Sequence, residues 1–380
     1  MHVFFKGPTV RVNSPSNTES SKTLLHFPLS KSRCVVTAIV PCRNEKDSIE
    51  ACVRSILKQE EPEGNSELIV VDGLSDDGTG EILSRLSGEF PALKVITNPK
   101  RTMPSGVNLG IAAARGRYIA IMGAHNRYAP DYLSQAVKVL EETQADNAGG
   151  SMVCEGGSYV QEAIALAHHS GFSVGGARWH DPQYEGPADT VFGGVYRREV
   201  FDRIGPFDEE LVRNQDDELN LRLVQQGGRI WHSPRIRSWY TPRKSLKALL
   251  QQYVQYGYWR VRVVQKRKAA AALRQYVPGA FVFSLIALPA VALLWAPVWW
   301  LWFGEIAAYG LCTVGISFGV AARKGWRYLP ILPSVFACYH LGYGIGFLHG
   351  VIDFVLLRRG ARANYSTLTR SAEFTDSSRL

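Results

Sequence analysis

The chain has 380 residues, 46% of them hydrophobic, and a formal net charge of +9 at pH 7. This length and composition predict one large domain with a sizeable core and a smaller second part. The charge is uneven, because residues 219–304 contain thirteen Lys and Arg but no Asp or Glu. A basic stretch with interleaved aromatic residues is typical of nucleic-acid surfaces. The uncharged apolar run that follows at residues 275–304 favours a membrane instead, and excludes nucleic acid as a partner.

The first part of the chain predicts an α/β domain behind a polar tail. Residues 1–33 contain no apolar stretch of signal-peptide length, so we expect a mobile tail and a cytoplasmic domain after it. Short β-branched runs then alternate with segments of helical spacing; the runs are CVVTAIVP, ELIVVDG, LKVIT and RYIAIMGA. This alternation predicts a doubly wound, mostly parallel sheet with helices on both faces.

Three of these strands end in polar residues, at positions 41–45, 72–79 and 123–125. In doubly wound sheets, ligands bind beyond the carboxyl ends of the strands. Turn or helix-capping roles would explain each segment alone, but not their convergence on one edge of the sheet. We therefore predict a binding rim at this edge.

The basic stretch and the apolar run after it predict a membrane-associated second part. Residues 245–268 combine basic and aromatic side chains at helical spacing, which is typical of a helix in the membrane interface. Residues 281–303 exceed the roughly 20 apolar residues that a spanning helix needs, and residues 306–322 form a second run. Basic residues flank this pair on both sides, so we expect a two-helix hairpin with both ends in the cytoplasm.

The third apolar run, residues 328–352, allows more than one topology. A single crossing would place Arg358, Arg359 and Arg362 outside the cell, against the cytoplasmic preference of basic residues. The four glycines between positions 342 and 350 would instead break the run into a re-entrant or double-crossing element. We therefore allow two to four crossings in total.

Five motifs in order resemble the inverting glycosyltransferases of family 2, which have the GT-A fold. They are VVTAIVPCRNE, ELIVVDGLSDDGT, NPKRTMPSGVNLGIAAARGRYIAIMGAH, DTVFGGVYRREVF and RNQDDELNLRLVQQG. The last two, with YVQYGYWR, are most similar to the membrane-bound β-glucosyltransferases of succinoglycan-type exopolysaccharide assembly. The resemblance covers about residues 34–275. It implies a UDP-sugar donor and a polyprenyl-diphosphate-linked oligosaccharide acceptor.

The resemblance places the donor nucleotide on the binding rim. The residues that it implies are Pro41, Arg43, Glu45, Asp72, Lys100 and Arg101. Asp72 is a carboxylate able to accept the N3–H of uracil, and Glu45 is expected to reach the ribose. Gly73 stands where the family often has a second acid. Lys100 and Arg101 either add positive charge near the phosphates or form a solvated turn.

The segment NQDDELNLRL resembles the start of the helix that carries the family's catalytic base. The family has an acid pair there whose second member is the base, so Asp216 is the predicted base and Gln215 replaces the first acid. The alternative role for Asp216 is to favour the positive end of a helix dipole, worth about 0.3–1 kcal/mol. Gln215, Gly193 and Gly194 are the predicted acceptor contacts, although the two glycines equally fit a β-bulge.

The family's metal triplet, usually Asp-x-Asp, is Gly123-Ala124-His125 in this chain. His125 is the predicted ligand of a divalent ion, Mn²⁺ or Mg²⁺. Imidazole suits Mn²⁺ better than Mg²⁺, which prefers oxygen. With Gly123 in place of an acid, we expect looser metal binding in the absence of the nucleotide. His232 is expected to be a packed histidine at a strand end.

These predictions divide the chain into five parts: a tail (1–33), a GT-A domain (34–240), a basic interfacial helix region (241–275), membrane segments (276–357) and a basic tail (358–380). The predicted enzyme transfers a hexose, with inversion, at the inner (plasma) membrane. The alternative is a membrane-anchored pseudoenzyme or scaffold that binds nucleotide sugars without turnover. Retention of Asp216 and Glu45 favours the enzyme.

Overall fold

A computed structural model of the chain describes residues 34–60, 65–150, 152–175, 181–269 and 272–366. The predicted tail at residues 1–33 and residues 367–380 lie outside the described residues. The N-terminal domain begins with β1 (Cys34–Cys42), α1 (Ile49–Leu57), β2 (Asn65–Asp72), α2 (Thr79–Glu89), β3 (Leu93–Thr97), α3 (Met103–Ala113) and β4 (Tyr118–Ile121). It continues with β5 (Asn126–Tyr128), α4 (Tyr132–Thr143), β6 (Asn147–Gly150), β7 (Met152–Cys154), α5 (Tyr159–His168), α6 (Gly171–Val174), β8 (Gly186–Pro187), β9 (Phe192–Arg197), α7 (Glu199–Ile204), α8 (Gln215–Gln225), β10 (Ile230–His232) and β11 (Ser238–Tyr240). The C-terminal helices are α9 (Leu246–Arg267), α10 (Val277–Ala292), α11 (Val298–Lys324) and α12 (Leu332–Gly350), which continues as the π-helix Val351–Leu356.

The larger sheet has eight strands in the order β3-β2-β1-β4-β9-β6-β10-β8. Strands β3, β2, β1 and β4 are parallel, as predicted. Strand β9 is antiparallel to both of its neighbours, β4 and β6, so the sheet is mixed rather than uniformly parallel. A smaller sheet joins β5, β11 and β7. The α/β prediction is confirmed, and the parallel strands bring the polar ends of β1, β2 and β4 to one edge.

Helices cover both faces of the larger sheet. Successive residues of β1 alternate between the faces, so Val40 packs under α1, α2 and α4, whereas Ile39 packs under α3, α7 and α8. Leu219 and Leu223 of α8 are fully buried in the second of these layers. Their burial fixes the position of α8, and therefore of the residues at its first turn.

Within the described residues, three helical segments are long and apolar enough to cross a membrane: Leu273–Ala292, Val298–Lys324 and Leu332–Leu356. The first predicted run, residues 281–303, is not one helix. It is divided at residues 293–297, where Pro297 is the N-cap of α11. Proline favours helix starts because it lacks the N–H that a helix interior needs, so it sets a boundary that apolar character alone does not show. The predicted hairpin is therefore formed by α10 and α11.

The glycines of α12 do not interrupt the helix, so the structure lacks the break that was one of the alternatives for the third apolar run. Gly346 lies against the backbone of Val254 in α9, and Gly350 lies against that of Tyr258. A step of four residues along α12, from Gly346 to Gly350, corresponds to a step of four residues along α9, from Val254 to Tyr258, so the two helices run parallel. Glycine permits this close approach because it has no side chain to hold the two backbones apart.

The basic residues of α9 pair with acids of the N-terminal domain. The pairs are Arg260 with Asp217, Arg262 with Glu210, Lys266 with Asp208 and Glu210, and Arg267 with Glu218. Trp259, an aromatic residue of the predicted interfacial helix, is buried in the protein, as is its neighbour Tyr258. The interfacial location of α9 stays a prediction, but these two rings do not anchor it. The uneven charge of the sequence instead reflects ion pairs within the molecule.

Candidate active site

Hydrogen bonds join the loop after β1 to the loop after β2. The backbone N–H of Asn44 donates to Oγ of Ser75 at 2.9 Å, and that of Glu45 donates to Oγ1 of Thr79 at 2.9 Å. Asn44 has a φ of 57°, a left-handed conformation that asparagine tolerates better than most residues. The two polar strand ends therefore form one connected rim, as predicted.

His125 reaches this rim from the end of β4. Its Nδ1 lies 3.0 Å from Oε1 of Glu45, and Oγ of Ser48 donates to Oε2 of the same carboxylate at 2.7 Å. The imidazole also lies edge-on to the ring of Tyr240, with centroids 6.3 Å apart. Two predicted site residues, Glu45 and His125, are thus direct neighbours.

The rim opens into a cavity of about 1160 Å³. At the rim it is lined by Arg43, Asn44, Glu45, Asp77 and His125. Another wall is the first turn of α8, with Gln215, Asp216 and Asp217. A third wall comes from the C-terminal helices and includes Val277, Phe281, Tyr309, Tyr339 and Tyr343. Polar, acidic and aromatic surfaces therefore share one space.

Side-chain contacts hold the first turn of α8 in place. Asn214 has a left-handed φ of 58° and donates from Nδ2 to the carbonyl oxygen of Tyr256 at 2.9 Å. Nε2 of Gln215 lies 3.1 Å from Sδ of Met103. The carboxylate of Asp217 pairs with Arg260 of α9, which is 8% exposed. Asp217 is thereby neutralised, whereas its neighbour Asp216 is presented to the cavity.

Asp216 has the environment of a general base. The side chain of Asp216 is exposed to the cavity, whose walls replace part of the bulk water around the carboxylate. This desolvation, together with the negative charge of Asp217, raises the pKa of Asp216 to about 6. Arg260 and a hydrogen bond of 2.9 Å from the Asp217 N–H limit the rise. Asp216 is therefore ionised at neutral pH and still basic enough to accept a proton.

A pH dependence follows from this pKa. Because only the ionised carboxylate accepts a proton, we expect kcat/KM for transfer to fall about tenfold per pH unit below about pH 6. In an Asp217→Asn variant, the loss of the neighbouring charge should move this acid limb to lower pH. A pH profile between 4.5 and 8.5 measures both effects. An acid limb at the same pH in the two proteins would assign it to another group.

Four of the predicted nucleotide residues do not line the cavity. Lys100 points to the surface and pairs with Glu209 at 2.6 Å. Arg101 and Pro41 are also outside the lining, as is Asp72, which accepts hydrogen bonds from the N–H and Oγ of Ser75. Of the six predicted nucleotide-binding residues, only Arg43 and Glu45 therefore line the cavity. Contact between the nucleotide and the other four stays a prediction.

The packing of β9 accounts for glycine at positions 193 and 194, so an acceptor contact is not needed to explain these residues. A Cβ atom at Gly193 would lie 2.6 Å from Oη of Tyr132, and one at Gly194 would lie 2.5 Å from Oδ1 of Asn147. The β6–β9 register also shifts between Ala148 and Gly150, which is the bulge that the sequence left open. Neither glycine lines the cavity.

His232 is a packed histidine at a strand end, as expected. It is fully buried, and its Nδ1 lies 2.7 Å from the carbonyl oxygen of Tyr184. Its ring does not line the cavity.

Four arginines that line the cavity were not among the predicted site residues: Arg213, Arg243, Arg260 and Arg274. The basic stretch was interpreted as facing lipid head groups. The absence of acids from this stretch could have indicated another role, because basic residues without acidic neighbours in sequence pair with acids or ligands elsewhere in the protein. Arg260 and Arg274 do so with Asp217 and Asp189.

The metal site can be tested against the residues present. Among the described residues, no three His, Cys, Asp or Glu side chains gather as a preformed metal site. His125 is nonetheless held at Nδ1 by the Glu45 carboxylate, the kind of partner that orients a metal-binding imidazole. The site therefore fits an ion that takes most of its ligands from a bound diphosphate and water.

Comparison with known proteins agrees with this geometry. The family model of glycosyl transferase family 2 matches residues 37–205. The succinoglycan biosynthesis protein ExoA of Rhizobium meliloti (strain 1021) is 31% identical over 318 residues, which are 83% of this chain and 94% of that protein. The chain belongs to glycosyl transferase family 2.

Two further similar proteins share a lower sequence identity with this chain. A dolichyl N-acetyl-alpha-D-glucosaminyl phosphate 3-beta-D-2,3-diacetamido-2,3-dideoxy-beta-D-glucuronosyltransferase of Methanococcus voltae is 26% identical and aligns with 83% of this chain and 97% of its own length. The mannosyltransferase PcManGT of Pyrobaculum calidifontis, solved with GDP-Man and Mn²⁺, has a TM-score of 0.53 at 20% identity, covering 82% of this chain and 88% of its own. This likeness shows the GT-A fold of family 2.

Proposed function

We propose that the chain is an inverting hexosyltransferase that transfers glucose from a UDP-sugar to a lipid-linked oligosaccharide during exopolysaccharide assembly. The observation that carries the proposal is the single cavity shared by the rim, Asp216 and the apolar helices. The relative ExoA, named for succinoglycan biosynthesis, supports the polysaccharide setting. The Methanococcus voltae relative, named for a dolichyl-phosphate-linked substrate, supports a lipid-linked acceptor.

The chemistry follows from the positions of the side chains. Asp216 accepts the proton of the acceptor hydroxyl, whose oxygen forms a bond to C1 of the donor sugar. UDP leaves from the opposite face with the electron pair of the broken C1–O bond, so the configuration at C1 inverts. Arg43 adds positive charge at the rim, where the leaving diphosphate is placed. A divalent ion held through His125 supplies further neutralisation of that diphosphate when bound.

We also propose that α10 and α11 cross the inner membrane, with the catalytic domain in the cytoplasm. The segment that contains α12 contacts the catalytic domain at both ends. Oη of Tyr328 lies 2.6 Å from Glu162 of α5 at its start. Phe354 at its end shares one apolar cluster with Leu211 and Leu221. An α12 that lies along the domain leaves Arg358, Arg359 and Arg362 on the cytoplasmic side, in agreement with the preference of basic residues.

The direct test is to incubate the detergent-solubilised full chain with a panel of nucleotide sugars and lipid-linked acceptors. We expect UDP release from UDP-glucose that depends on a matching acceptor, with a β-linked product by NMR. Acceptor-dependent release of the nucleoside diphosphate from a different nucleotide sugar would show that glucose is not the transferred sugar. Donor binding with no turnover on any acceptor would support the pseudoenzyme or scaffold instead.

The metal triplet gives a second prediction. We expect transfer to need a divalent ion, with Mn²⁺ preferred over Mg²⁺, and His125→Ala to lower turnover and raise the Mn²⁺ concentration for half-maximal rate. Gly123→Asp should lower that concentration. A Cβ at Gly123 would lie 2.5 Å from Nδ2 of Asn126, so Gly123→Asp with Asn126→Ala provides the unhindered comparison. Full turnover of both wild type and His125→Ala in excess chelator would make the histidine structural.

A further inference from the structure

Two arginines, one partly buried and one buried, lie side by side in the cavity wall. Arg213 precedes α8 and Arg243 precedes α9, and both line the cavity. Nε of Arg213 donates to Oε1 of Gln255 at 3.0 Å, and Nε of Arg243 donates to Oε1 of Gln252 at 3.2 Å. The two glutamines are three residues apart in α9, so one helix face holds both guanidinium groups.

The polar groups around Arg243 do not neutralise its charge. Arg243 is 7% exposed, and its Nη1 has no hydrogen-bond partner among the described residues. No acidic side chain in the described part of the chain forms an ion pair with it, whereas Arg260 and Arg274 in the same cavity have Asp217 and Asp189. A buried guanidinium with only neutral partners is costly, and an anion in the cavity would relieve that cost.

The proximity of the two arginines strengthens this requirement. Burial and the positive charge of Arg243 lower the pKa of Arg213, which shows that the two groups repel one another. Nε of Arg43, which can only donate a hydrogen bond, is also buried without a partner, and Arg43 lines the same cavity. The cavity wall is therefore built for a polar, negatively charged ligand.

The surroundings distinguish this ligand from the donor nucleotide. The two arginines are carried by the α8 and α9 segments, apart from the β1 and β2 loops that form the rim. Tyr256 and Tyr253 of α9 also line the cavity, and beyond them the lining includes Phe281 and Tyr309 of α10 and α11, whose outer faces are exposed and apolar. A ligand that fits both surfaces has an anionic head and a long apolar chain.

We propose that Arg213 and Arg243 form a phosphate-binding site for the acceptor, which holds the diphosphate of a polyprenyl-diphosphate-linked sugar while its chain passes between α10, α11 and α12. This inference rests on the proposed function for the reaction, but the binding site is testable without it. The planar guanidinium groups suit the paired oxygens of a phosphate.

The test is direct binding to the detergent-solubilised full chain, with farnesyl diphosphate, farnesol and UDP as separate probes. We expect Arg243→Gln to weaken farnesyl diphosphate about tenfold to a hundredfold, with farnesol and UDP unchanged. Arg243→Lys, which keeps the charge but not the planar guanidinium, should retain more affinity than Arg243→Gln but less than wild type. Arg237→Gln is the matched control, because Arg237 lies outside the cavity in an exposed pair with Asp131. Thermal unfolding of each variant establishes that it is folded.

The other outcomes overturn the proposal in different ways. If Arg243→Gln weakened UDP binding as much as farnesyl diphosphate binding, the arginines would belong to the donor site. If it weakened farnesol binding equally, the substitution would have disturbed the cavity in general. Unchanged binding of all three probes would make Arg243 structural. If wild type transfers no sugar yet shows the expected loss for farnesyl diphosphate, the proposed function fails while the phosphate site stands.

Discussion

Replacing Asp216 with asparagine should lower kcat for transfer by about 10² to 10⁴ while leaving the Kd of UDP nearly unchanged. The amide keeps the shape of the side chain but cannot accept the proton of the acceptor hydroxyl. The first turn of α8 should stay in place, because Asn214 and Gln215 hold it through Tyr256 and Met103. Turnover is measured as UDP release with a lipid-linked acceptor, and the UDP affinity is measured by calorimetry.

Asp202→Asn is the matched control for this variant. Asp202 is exposed on α7 and does not line the cavity, so its substitution should leave both quantities unchanged. If Asp216→Asn retains turnover within about threefold of wild type, Asp216 is not the base. Its position would then reflect only the favourable interaction of an acid with a helix N-terminus.

Gly346→Ala should destabilise the whole protein rather than one helix. The added methyl group would overlap the carbonyl oxygen of Val254, so α9 and α12 could not remain at their present separation. We expect the unfolding temperature to fall by about 5 °C or more. Transfer should fall as well, because α9 carries Arg260 to its partner Asp217.

Gly315→Ala separates this effect from the general consequence of adding a methyl group to a helix. Gly315 is in α11, and a Cβ atom at this position would meet no described atom within 4 Å, so alanine is accommodated there without displacement. Both variants are compared by thermal unfolding and size-exclusion chromatography in the same detergent. Equal unfolding temperatures for Gly346→Ala and wild type would show that the two helices separate at little cost.

The fold of the front half could be predicted because its information is local. Each parallel strand is a short β-branched run, and the polar residues that end it are adjacent in sequence, so the rim with Glu45 and His125 followed directly. The antiparallel insertion of β9 depends on pairing with β4 and β6 at a distance of many residues. Nothing within DTVFGGVYRREVF specifies those partners.

The C-terminal half was less predictable for a related reason. Apolar character fixes how much of the chain is hidden from water, but not whether lipid or protein hides it. Trp259 was therefore assigned to the membrane interface, although it is buried in a cluster with Leu221 of α8 and Phe354. A break at the glycines of α12 was one of the alternatives that the sequence allowed, because glycine disfavours helices in isolation. Their role depends on α9, some ninety residues earlier in the chain.

The ion pairs between α8 and α9 bear on how such proteins can be recombined. A chimera that joins residues 34–240 of this chain to the helices of another glycosyltransferase would keep Asp217 and Glu218 but lose Arg260 and Arg267. Asp217 would then be left without its counter-charge beside Asp216, and Glu218 would keep only its pair with Arg222. The catalytic domain should therefore be exchanged together with α9, and with α12, whose glycines pack against the α9 backbone.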